Sequence, residues 1–188
     1  MSFTDEELID GCRKNKRHSE EALYAKYSPV MYAVALRYAK MQQEAEDILQ
    51  EAFVKVFQSI GKFREDSSLA YWIKRIVINT ALNHQRSKLY LYPMVDVEEL
   101  KNWGTDGSVL GEFSYQELLK IIQELPDGCR IIFNLYAVEG YKHHEIAKML
   151  DISEGTSKSQ YARAKVLLQR KIEEKTRINY EWVGENRG

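Results

Sequence analysis

Apolar residues recur along this chain at steps of three and four and almost nowhere at steps of two. That period predicts helices and leaves almost no candidate strand. A short helix is expected from Glu6 to about Asn15, and a second from Glu20 to Tyr27 with Leu23, Tyr24 and Tyr27 on one face. Ser28-Pro29 predicts a new start, with Ser as the cap and Pro at the first helical position, where its missing N–H costs nothing. The helix after it would bury Met31, Val34, Ala35 and Tyr38. A further helix is expected over 43–60, burying Ile48, Leu49, Ala52, Phe53, Val56 and Phe57 and stopping at Gly61. The loop "KFREDSS" leads to one over 69–86 with Trp72, Ile73, Ile76 and Val77 inward.

The period fails over 89–111, which holds Pro93, Gly104, Gly107 and Gly111 and reads as a flexible linker. It resumes with helices expected at 113–124, 127–138, 142–150 and 154–173. The fold class is therefore all-α. Two small helical domains, 1–88 and 112–188, are joined by the linker 89–111.

Charge changes this picture. The net charge is −1, yet Lys62–Lys88 carries +4, Leu89–Glu124 carries −5 and Glu154–Lys171 carries +4. Two basic blocks around an acidic linker suit a nucleic-acid binder, although solvated helix faces would give the same count. Of 188 residues, 44% are hydrophobic and 29% charged, which excludes a disordered chain. No stretch reaches the roughly 18 consecutive apolar residues of a membrane helix. The polar, acidic start "MSFTDEELIDGCRKNK" is not a secretory signal. Cys12 and Cys129 form neither a metal spacing nor a disulfide framework, which fits a reducing, cytoplasmic setting.

The stretch "HEIAKMLDISEGTSKSQYARAK" has the pattern of a helix-turn-helix. Ile146, Ala147 and Leu150 would form the buried stripe of its first helix. Asp151 would take the left-handed turn position, Ile152 would plug the turn and Ser153 would cap the second helix. Residues near the start of such a helix reach base edges, and flanking cations and hydroxyls hold phosphates. The candidates are Thr156, Ser157, Lys158, Ser159, Tyr161, Ala162, Arg163 and Lys165.

Two features lie upstream. Glu44, Asp47, Gln50, Glu51 and Val54 share the outward face of the helix at 43–60, an acidic surface wrong for DNA and right for a basic protein. Arg75, Asn79, Asn83 and Arg86 form a polar, basic stripe on the next helix, with Tyr71 at its upper end and Phe63, Arg64, Ser67 and Ser68 in the loop before it. Aromatics beside cations suit an unstacked single strand. Trp72 fits either core packing or base stacking.

The last stretch, "EGYKHHEIAKMLDISEGTSKSQYARAKVLL", resembles the final domain of bacterial RNA polymerase sigma factors of the extracytoplasmic function (ECF) type. "EAEDILQEAFVKVFQSIGKFREDSSLAYWIKRIVINTALNHQRSK" is similar to that family's second conserved region. Here Asp151 stands where Gly is usual, Ser157 where Val is usual and Gln160 where Arg is frequent. Gln160, with Ala162, leaves open which promoter this helix would read.

The resemblance implies a factor that directs core RNA polymerase to promoters and catalyses no reaction itself. Asp47, Gln50, Glu51 and Val54 would dock on the beta-prime clamp, and the beta flap would be a further contact. The loop and stripe from Phe63 to Arg86 would melt the minus-ten element and hold its non-template strand. The helix-turn-helix would read the minus-thirty-five duplex. The linker would thread the polymerase cleft, although a solvated tether explains its charge equally well. Many members are held by an anti-sigma factor. No cofactor or metal is implied.

Two rivals come from other classes. His144-Glu145 begins like a zinc-protease helix, but the next ligand position is Lys148 and no second histidine follows. A repressor or response-regulator output domain would share the helix-turn-helix. It would need neither the acidic face nor the aromatic–basic stripe.

Overall fold

The computed structural model describes residues 3–89 and 113–185, with side chains over 3–85 and 113–176. Residues 1–85 and 86–188 form two compact units. Every element among the described residues is helical. The linker expected over 89–111, with its acidic residues, lies outside the described residues except for Leu89.

The first unit holds three helices, α1 (Asp5–Arg13), α2 (Arg17–Tyr38) and α3 (Gln42–Ser59), a short 3-10 turn at Ile60–Lys62, and α4 (Leu69–Leu89) as far as Gln85. Thr4 and Glu7 open α1 by capping each other reciprocally, at 3.2 and 2.8 Å. Gly11 lets α1 approach α2 closely, because a Cβ there would lie 2.0 Å from Ser19 Oγ.

The break expected at Ser28-Pro29 does not occur. Helix α2 runs unbroken through Pro29. Its buried residues Leu23, Tyr27, Met31, Val34 and Tyr38 keep one phase across the proline. A continuous buried stripe outweighs the lost hydrogen bond. Ala25 and Pro29 are both exposed, so water serves the carbonyl that loses its donor. The core of the unit gathers Leu8, Leu23, Met31, Tyr38, Ile48, Ile73 and Ile78, each at most 2% exposed.

The second unit holds α5 (Tyr115–Gln123), α6 (Asp127–Phe133), α7 (His143–Leu150) and α8 (Glu154–Glu185), with a π-helical turn at Asn134–Val138. Ser114 and Glu117 form a capping box at the start of α5. Ile121, Leu125, Cys129, Ala164 and Leu168 form a core that joins α5 and α6 to α8. Arg130 is fully buried; its guanidinium donates to Asp127 Oδ1 at 2.6 Å and to the Leu125 carbonyl at 3.0 Å. Between α7 and α8, Asp151 takes φ 56° and ψ 49°, the left-handed conformation the turn demands. Ser153 Oγ then accepts from the Thr156 N–H at 2.9 Å and caps α8.

Candidate nucleic-acid and protein interfaces

On α3, the residues facing away from the core are set by the 3.6 period. Asp47, Gln50 and Glu51 are exposed, and Val54 is 53% exposed. Glu51 is already engaged. Its carboxylate accepts from Lys55 Nζ at 2.6 Å and pairs with His84 Nε2 at 2.6 Å. Those two partners, Lys55 foremost, hold it below the usual carboxylate range. Lys55 also donates to Thr80 Oγ1, and Gln85 Nε2 donates to Glu44 Oε1 at 2.7 Å. The acidic helix is thus tied to α4 by three side-chain bridges. Spacing did not single out His84, because its partner is 33 residues away.

On α4, Tyr71 (44% exposed), Arg75, Asn79 and Asn83 are exposed, while the Arg86 side chain lies outside the described residues. Lys74 Nζ lies 5.8 Å from the Tyr71 ring centroid. In the loop before the helix, Arg64, Ser67 and Ser68 are exposed, and Ser68 Oγ accepts from the Tyr71 N–H. Phe63 corrects the expectation of an accessible ring. It is 5% exposed and lies against Trp72 with centroids 5.0 Å apart. Burying the two rings against each other removes more apolar surface from water than leaving one free for a base. Trp72 is half-buried.

On α8, Lys158 and Lys165 are exposed, and Ala162, Arg163, Ser159 and Thr156 are partly exposed. Lys158 pairs with Glu154 at 2.7 Å. Two positions need correction. Ser157 is fully buried, its Oγ 2.9 Å from His143 Nδ1, so it faces the packing between α7 and α8 and no duplex. Gln160 is 8% exposed and accepts from Cys129 Sγ at 3.1 Å, so its departure from arginine falls in the core and not on the exposed face of α8. Burial raises the Cys129 thiol to about 11, which keeps it protonated.

Tyr161 is half-buried in an aromatic cluster. Its centroid lies 4.5 Å from Tyr136 and 5.8 Å from His143, and Lys165 Nζ sits 5.4 Å from it. His143 stacks on Tyr136 at 4.3 Å. Neither Tyr136 nor His143 was legible as part of this face from spacing. Burial first, and the Lys158 charge second, lower the His143 pKa below its ordinary 6.5. The neutral ring is therefore the form that folding favours. The stability it contributes is complete above about pH 6.5 and is lost as pH falls through the lower folded value. Urea midpoints measured at pH 7.5 and 5.5 should show this loss, and His143→Gln should reduce it.

Among the described residues, no group of three or more His, Cys, Asp or Glu is placed to hold a metal ion. None of their helices is long and apolar enough to cross a membrane.

Residues 23–89 match the family Sigma-70 region 2, and residues 115–168 match Sigma-70, region 4. The RNA polymerase sigma-H factor of Pseudomonas aeruginosa is 28% identical over 181 residues, covering 90% of this chain and 94% of the relative. The ECF RNA polymerase sigma-E factor of Escherichia coli K12 is 27% identical over 183 residues, covering 91% and 95%. In fold, the chain is similar to the sigma factor RpoE of Bartonella quintana, solved with the anti-sigma factor NepR. That match has a TM-score of 0.50 and 22% identity, and covers 80% of this chain and 94% of the other. With both conserved regions present in order, the chain belongs to the ECF group of sigma-70 factors, which bind core RNA polymerase and direct promoter recognition, melting and transcription initiation.

Proposed function

We propose that the two units divide the work of this sigma factor as follows. Asp47, Gln50, Glu51 and Val54 on α3 dock on a basic surface of the polymerase clamp. Arg64, Ser67, Tyr71, Arg75, Asn79, Asn83 and Arg86 take the opened non-template strand of the minus-ten element, with Phe63 and Trp72 as the packed support beneath. Lys158, Ser159, Ala162, Arg163 and Lys165 face the minus-thirty-five duplex, with Thr156 at the helix start and Tyr161 behind them. The chain acts in the cytoplasm as an initiation factor and catalyses no reaction of its own. An anti-sigma factor, such as the one solved with the Bartonella quintana relative, would restrain it by covering these faces.

The observation that carries this reading is the pairing of faces in the first unit. Exposed acids on α3 and an exposed arginine, amides and a tyrosine on α4 belong to two helices tied together by side chains. A protein partner and a nucleic-acid strand are thereby served from one rigid body. A duplex-only repressor has no use for the first face.

Pull-down with sigma-free core polymerase, followed by run-off transcription, tests the reading. Binding and promoter-dependent transcripts are expected. Tight duplex binding without activation of the polymerase at any promoter would favour the repressor instead. Lys158→Ala and Arg163→Ala should each weaken upstream contact by about 1–3 kcal/mol. Footprinting of the minus-thirty-five element checks this, and undiminished protection would place the reading face elsewhere.

A further inference from the structure

Arg13, the last residue of α1, reaches across 50 residues of sequence. Its Nη2 donates to the Phe63 carbonyl at 2.7 Å, and its Nη1 donates to Glu65 Oε1 at 3.0 Å. Glu65 stands at φ 60°, a left-handed conformation that a residue with a side chain adopts only when its surroundings hold it there. The guanidinium is a planar fork, and here it grips two acceptors two residues apart. One grip therefore sets both the path of the backbone at Phe63 and the turn at Glu65.

Helix α1 is a firm base for that grip. Asp5 Oδ1 accepts from Lys26 Nζ at 2.7 Å and from the Tyr27 hydroxyl at 2.6 Å, and Gly11 seats the helix against Ser19. At the far end of the loop, Ser68 caps α4. The Phe63 ring is buried against Trp72. The exposed residues Arg64–Ser67 thus form an arch pinned at both ends. Arg13 also offsets the charge of Glu65, which otherwise lies with Asp66 where strand phosphates would pass.

From this geometry we infer that Arg13 is a positioning residue for promoter opening: it holds the 63–68 loop in the shape that receives the unstacked strand. The inference rests on the reading of that loop and of α4 as the strand-binding surface. It gives α1 a part in melting, although α1 lies outside the matched region at 23–89. Without Arg13, Glu65 leaves its unfavourable conformation, the arch samples many shapes, and capture of the strand must order it anew.

The test uses holoenzyme assembled from core polymerase and the full chain, on a promoter found by run-off transcription. Opening is read by permanganate reactivity of minus-ten thymines. Arg13→Ala should reduce opening by about tenfold, the effect of losing charge-assisted hydrogen bonds. Affinity for core polymerase and protection of the upstream element should stay unchanged. Arg13→Lys should restore part of the opening, because an ammonium keeps the charge and loses the fork.

Three results would overturn the inference. If Arg13→Ala opens the promoter normally while Tyr71→Ala and Arg75→Ala do not, the strand surface stands and Arg13 has no part in it. If all three open normally, the strand surface itself is misplaced and the inference falls with it. If Arg13→Ala loses polymerase affinity in the same proportion as opening, Arg13 only maintains the fold.

Discussion

Arg130→Ala is expected to destabilise the second unit by about 3–5 kcal/mol, measurable as a fall in its denaturant midpoint. The guanidinium is fully buried and pairs with Asp127, whose side chain is 5% exposed. Its removal leaves a carboxylate away from water without its cation, and deprives the Leu125 carbonyl of a donor. Stabilities of small domains are of that same order, so the helix-turn-helix would be largely unfolded at 37 °C. Replacing both partners by apolar residues, as in Arg130→Met with Asp127→Leu, should be much milder, because no charge is then stranded. Equal damage from the double variant would show that the pair acts through the backbone it holds.

Asp47→Lys combined with Glu51→Lys should weaken polymerase binding by about 2–5 kcal/mol, a loss of roughly thirtyfold or more in Kd. The two substitutions differ in kind. Asp47 is exposed, and its reversal probes docking alone. Glu51 is also the partner shared by Lys55 and His84, so its reversal sets a second cation beside Lys55, removes the contact with His84 and loosens α3 from α4. Asp47→Lys is therefore the cleaner probe. A titration of fluorescent sigma factor with core polymerase measures both. Unchanged affinity for the double variant would remove this face from the interface.

What could be read in the sequence was what one helix determines by itself. The turn at Asp151, the cap at Ser153 and the outward row Asp47, Gln50, Glu51 and Val54 follow from local spacing and backbone preference. The errors arose where a partner distant in sequence decides. Pro29 reads as a start, but the stripe of α2 is buried by neighbours that local chemistry cannot see. Phe63 reads as an accessible ring until Trp72 covers it. Ser157 and Gln160 stand on a helix full of cations and hydroxyls. His143 and Cys129, 14 and 31 residues away, draw them inward. Arg13 is a solvated terminal cation by composition, and only the path of the chain brings it to Phe63 and Glu65.

The buried contacts of Ser157 and Gln160 bear on how far α8 can be treated as a portable part. A specificity swap that grafts this helix onto a relative, or a relative's helix onto this chain, moves more than the proposed reading face. It carries a hydroxyl that fits His143 and an amide that fits Cys129. An arginine arriving at position 160 would bring a cation into a space that is 8% exposed and bounded by a protonated thiol. Exchanging Lys158, Ala162, Arg163 and Lys165 one by one would transfer the proposed reading face and leave that interior intact.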